Sequence, residues 1–109
     1  MAYNEELADR VRDAVLGATV DVVQRQEFGG LTIMVRGHST VGVLGTDLLV
    51  RVGPDAYEDA LTRPNARPMD LTGKPSRSMV FVAAVYLDDA SLESWVGRGL
   101  AFTAPLPPK

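Results

Sequence analysis

Between residues 20 and 54 glycine cuts the chain into short β-forming runs, and this punctuation constrains the fold more than any other feature. Val20, Val22, Val23 and Phe28 are β-formers interleaved with Asp21, Gln24 and Gln26, and Gly29-Gly30 ends the run. Leu31, Ile33 and Val35 then alternate with Thr32, Met34 and Arg36. Gly37-His38 reads as a turn, Thr40 to Leu44 as a strand, Gly45-Thr46-Asp47 as a turn, and Leu48 to Val52 as a strand ended by Gly53-Pro54. Parallel neighbours need a crossover of about a dozen residues or more, and these links are far shorter. The strands must therefore form an antiparallel meander.

Helical patterns flank the meander. Asn4 is a good N-cap, Glu5 and Glu6 suit the positive end of a helix dipole, and Leu7, Val11, Ala14, Val15 and Ala18 make one apolar stripe. Gly17 suggests a stop. Pro54 suits a first turn, and Tyr57 and Leu61 share a face, so a short helix is expected from Asp55 to Thr62. Residues 63–78 hold Pro64, Pro68 and Pro75 and read as a loop, with a short strand near Met69 to Leu71. Met79 to Tyr86 is almost uninterrupted by polar groups and is expected centrally in the sheet. Asp88-Asp89 caps a final helix to about residue 103, with Leu92, Trp95, Val96, Gly99 and Leu100 as its buried face and Pro105 beyond it.

The expected fold is one α+β domain over residues 1–109, in two layers: an antiparallel sheet of about five strands with helices packed on one face. The opposite sheet face must be polar or covered by a partner. Val35, Val43, Val50, Val52, Val80 and Val82 are numerous enough to make it partly apolar, so a homodimer is expected.

Few reactive groups are available. There is no cysteine, which removes disulfides, thiolate nucleophiles and Cys-ligated metals, and His38 is the single histidine. His38 reads as an exposed turn residue. Asp55, Glu58 and Asp59 sit at one expected helix start and Asp88 and Asp89 at another, where the dipole favours them. No phosphate-binding glycine motif is present, and Gly29-Gly30 reads as a turn with positive φ. The reading assigns no catalytic residue, metal ligand or cofactor. The formal net charge is -3. No apolar run approaches the roughly 18 residues of a membrane helix. The opening MAYNEELADR lacks the basic and apolar regions of a secretory signal, so a cytoplasmic location is expected.

The acidity is an average. Residues 63–77 carry Arg63, Arg67, Lys74 and Arg77 against Asp70 alone, and Arg51 at a strand end could join them. Three readings stand open. The segment is a solvated loop paired with Asp55, Glu58, Asp59 and Asp70. Or Arg51, Arg67 and Lys74 converge on a phosphate or carboxylate, as an anion site or an enzyme's substrate pocket. Or residues 63–77 contact nucleic acid.

FGGLTIMVRG (28–37), LLVRVGPDAYEDAL (48–61), ARPMDLTGKP (66–75) and SLESWVGRGLAF (91–102) follow the helical opening YNEELADRVR in an order and spacing that resembles the N-terminal domain of the TfoX/Sxy family. Glu27 stands where the family commonly has methionine. The resemblance implies a YjbR-like or secretion-chaperone-like two-layer fold and a regulatory role. Named members promote competence together with the cyclic-AMP receptor protein, and they carry a second, C-terminal domain. The resemblance brings no catalytic residues. Its recurrent positions here are Phe28, Gly29, Gly30, Arg51, Gly53, Pro54, Arg67, Pro68, Met69, Gly73, Lys74 and Pro75, most of them turn or packing positions. The role expected first is a small non-enzymatic cytoplasmic module that works by protein contact.

Overall fold

A computed structural model describes residues 3–18, 21–27, 29–69, 77–84 and 87–107. Helix α1 (Glu5–Leu16) leads into the meander β1 (Val22–Glu27), β2 (Gly30–Val35), β3 (His38–Leu44) and β4 (Asp47–Arg51). Helix α2 (Tyr57–Leu61), β5 (Ala66–Pro68), β6 (Met79–Ala83) and α3 (Asp89–Thr103) follow. The strands form one antiparallel sheet in the order β1-β2-β3-β4-β6-β5.

The sheet has six strands rather than about five. The additional one is the short β5, which closes the far edge and lies a little before the expected Met69 to Leu71 position. Strand β6 is flanked on both sides but is second from the edge, not central, because β5 pairs outside it.

Sequence chemistry explains the helix ends. The Asn4 side chain accepts from the Leu7 amide at 2.9 Å, and Asp88 accepts from the Ser91 amide at 2.8 Å. Each side chain satisfies a main-chain donor that the first helical turn leaves orphaned.

One face of the sheet, the inner face, carries Leu31, Ile33, Val35, Val41, Val43, Leu48, Val50, Val80 and Val82, all buried. Leu7, Val11 and Val15 of α1, Tyr57 and Ala60 of α2, and Leu92, Trp95 and Val96 of α3 pack with them in one core. Fully burying one such aliphatic side chain is worth about 1.5–3 kcal/mol, so this layer dominates the stability. The valines expected to colour the second face are thus spent here: Val35, Val43, Val50, Val52, Val80 and Val82 are all buried in the core.

A β-bulge fits α3 to this face. Ile33 pairs with Val41 and Met34 with Ser39, which leaves Thr40 as the extra residue. Thr40 is fully buried, and its hydroxyl meets that of Thr103 at 3.0 Å. Gly99 lets the helix come close here, because a Cβ at that position would stand 2.9 Å from the Thr40 carbonyl oxygen.

His38 departs from expectation. The two-residue hairpin turn is Arg36-Gly37, both with positive φ (51° and 86°), so His38 opens β3 and is only 7% exposed. Its Nε2 lies 2.6 Å from the Pro107 carbonyl oxygen. A carbonyl can only accept, so Nε2 carries the proton in this contact. Arg36 donates to the Thr103 carbonyl at 3.3 Å and to the Ala104 carbonyl. Together Arg36 and His38 hold the segment that follows α3 against the β2–β3 turn.

Candidate functional site

The outer sheet face is set by the same register. Val23 pairs with Met34, Gly42 with Leu49, Leu49 with Phe81, and Leu44 with Asp47. These positions alternate with the buried inner set, so they point away from the helices. The outer face therefore has its own apolar side chains: Val23, Met34, Leu44, Leu49 and Phe81. None of the five is a member of the core. Phe81 is nonetheless only 7% exposed.

An ion pair helps cover Phe81. The Arg67 guanidinium stacks 5.0 Å from the ring centroid and reaches across β6 to Asp47, with contacts of 2.6 and 3.3 Å to its two carboxylate oxygens. Strand β5 places Arg67 opposite Phe81, and β4 places Asp47 one pair further along. The planar guanidinium suits both the ring and the two-oxygen acceptor. The Asp47 hydrogen bond holds Arg67 above its ordinary pKa.

Arg51 and Arg63 have separate partners. Arg51 lies 5.2 Å from the Phe102 ring centroid and 3.5 Å from the Ser39 carbonyl oxygen. Arg63 and Arg98 share Asp59 at 3.3 Å each. The hydrogen bond from Arg63, then its charge, then the hydrogen bond from Arg98 hold the Asp59 carboxyl below the ordinary carboxylate range. Arg77 is exposed. Lys74 lies outside the described residues, as do Phe28, Gly73 and Pro75.

Several family positions are structural. Gly29 has φ 77° in the β1–β2 turn. Gly30 approaches β3 so closely that a Cβ would stand 2.6 Å from the Val43 carbonyl oxygen. Gly53 has φ 84° and lies under the Phe102 ring, and Pro54 follows it on the surface. Pro68 ends the edge strand β5, where a missing amide is tolerated.

The clefts are open and partly spoken for. One of about 140 Å³ is lined by Asn4, Glu6, Leu7, Arg10, Thr46 and Ala84. Arg10 in its wall already donates to Asp89 at 3.0 Å and to the Leu87 carbonyl at 2.9 Å. Among the described residues no three His, Asp or Glu side chains gather as a metal site would require. Among the described residues no helix is long and apolar enough to cross a membrane.

The most exposed large apolar side chains among the described residues are Val23 at 59% and Leu16 at 55%. Sequence reading passed over both as interaction residues. The signal was the Val22-Val23 pair, since adjacent strand residues face opposite ways and one had to leave the core.

Comparison with known families matches residues 14–103 to the TfoX N-terminal domain. No curated protein and no solved structure matches the chain. The match spans most of the 109 residues and includes all six strands, α2 and α3, so the chain belongs to the TfoX N-terminal domain family.

Proposed function

We propose that this protein is a small cytoplasmic regulatory module that acts by protein contact, has no catalysis of its own, and pairs with a second copy of itself. Membership of the TfoX N-terminal domain family is consistent with a regulatory module. The observation that carries the contact reading is the set of large apolar side chains outside the core, led by Val23 and Leu16. Contiguous exposed apolar surface marks contact sites, and the two residues lie on elements joined by the Arg12–Gln24 hydrogen bond, α1 and β1.

The basic residues add support. Arg67 is matched to Asp47 and Phe81, and Arg51 to Phe102 and Ser39, so each is used within the fold. A phosphate would have to compete with those partners.

Light scattering across a dilution series tests the reading. The average mass rises with concentration from 11.7 kDa toward twice that value. A mass of one chain at every concentration into the high micromolar range contradicts the self-association.

A further inference from the structure

We infer that two copies pair edge to edge through β1, antiparallel and centred on Gln24, joining their two sheets into one. This rests on the self-association proposed above and specifies its geometry.

The sheet has two edges, and they differ. Strand β5 has three residues, ends in Pro68, and is a poor template for another strand. Strand β1 has six residues without proline, and Val23, Gln24, Arg25 and Gln26 are all exposed. Long unprotected edges of this kind recruit another strand.

The register identifies which main-chain groups are free. Arg36 donates its amide to the Asp21 carbonyl at 3.2 Å, which makes 21 and 36 a hydrogen-bonded pair. Antiparallel pairs alternate, so Val23 with Met34 and Arg25 with Thr32 are also bonded pairs. The tight Arg36-Gly37 turn gives the same phase, because it bonds Val35 to β3 and turns Met34 toward β1. Val22, Gln24 and Gln26 therefore aim their N–H and C=O groups at the open edge.

Only one centre uses all three without penalty. With Gln24 opposite the partner's Gln24, Val22 meets the partner's Gln26, and every free N–H and C=O of the three finds its complement. Val23 then lies opposite the partner's Arg25 on the outer face, in a close non-hydrogen-bonded pair. Moving the centre one residue toward Arg25 sets two arginines directly opposite each other, which is destabilising.

Apolar surface flanks the same edge on both sides. Val23 is on the outer face. On the inner side Arg12 of α1 reaches Gln24 at 2.8 Å, and Leu16 stands one helical turn further along that side of the helix. The two most exposed large hydrophobic side chains among the described residues thus border one strand edge. Pairing there covers both and satisfies the open main chain in one step.

The chain has no cysteine, so single-cysteine variants report contacts cleanly. Gln24→Cys and, as a control on the outer face away from the edge, Leu49→Cys are oxidised mildly and run on non-reducing gels. A bonded antiparallel pair places its Cα atoms about 5.5 Å apart, within disulfide reach. Cross-linked dimer with Gln24→Cys and not with Leu49→Cys is the expected result. The opposite pattern overturns the edge geometry but leaves self-association standing. A wild-type chain that sediments only as a monomer overturns both.

Charge at residue 23 gives a second readout that keeps the β1–β2 ladder intact. Val23→Lys faces the partner's Arg25 and shifts sedimentation toward monomer. Val23→Glu faces the same arginine and retains the dimer. Equal behaviour of the two variants overturns the proposed register.

Discussion

The Thr40 hydroxyl lies 3.0 Å from the Thr103 hydroxyl, and both side chains are fully buried where the bulge of β3 meets the last turn of α3. Each hydroxyl has one proton: with Thr40 donating to the His38 carbonyl at 3.1 Å, Thr103 either donates to Thr40 or turns to the Gly99 carbonyl at 3.2 Å. The pair fixes where α3 ends on the sheet. Thr103→Val keeps the shape and removes the hydroxyl, while Thr40 retains His38 as a partner. The expected loss is about 1–2 kcal/mol, read as a lower urea midpoint with an unchanged slope. An unchanged midpoint would show that the pair contributes nothing.

Gly53 gives a prediction of opposite origin. Its φ is 84°, and an added Cβ would stand 2.3 Å from the Phe102 ring. Gly53→Ala meets both backbone strain and the ring, and thermal melting should report a loss of about 1–3 kcal/mol. Adding Phe102→Ala removes the collision but not the strain. The combined cost should therefore fall short of the sum of the two single costs.

Arg67 holds the outer face together across β6. Arg67→Ala frees Asp47 and uncovers Phe81, and the half-exposed setting limits the loss to about 1 kcal/mol or less. Arg67→Lys should recover little of it, because an ammonium has no planar fork to serve carboxylate and ring together. Chemical denaturation of both variants measures this, and full rescue by lysine would contradict the geometry.

Much of the fold was legible because local patterns and tertiary demands agree. The Asn4 and Asp88 caps, the α1 stripe, the antiparallel meander and the buried Tyr57 and Trp95 all follow from residue type and spacing. What failed was register. A turn misplaced by one residue put His38 on the surface, whereas positive φ at Arg36, an unusual choice for a non-glycine residue, shifts β3 and buries it. The same missing register leaves the sheet faces unassigned from sequence. Six valines have the same letter on either face, and only the pairing of β4 with β6 sends Val50 and Val80 inward and Leu49 and Phe81 outward. The salt bridge from Arg67 to Asp47 spans 20 residues of sequence and crosses a strand that comes later in the chain, so no local pattern announces it.

Acid should weaken the fold through its helix ends. The Ser91 main-chain hydrogen bond, followed by its side-chain one, holds the Asp88 carboxyl below the usual value of 3.8, and Arg63 does the same for Asp59. A carboxyl lowered in the folded state contributes stability that is fully present above its unfolded value and is lost as pH falls through the folded one. The decline therefore begins near pH 4 and deepens below it. Asp88→Asn keeps a capping oxygen without the titration, so its melting temperature should depend less on pH in that range. An acid limb identical to the wild type would remove Asp88 from this account.

The β1 edge can be observed residue by residue through amide hydrogen exchange at two protein concentrations. The Val23 and Arg25 amides are bonded to β2 and should be protected at both. The Val22, Gln24 and Gln26 amides face the open edge, so they should exchange rapidly in dilute solution and become protected as concentration rises. Rapid exchange of these three at every concentration, beside a protected Val23 and Arg25, would contradict the pairing of two copies through β1.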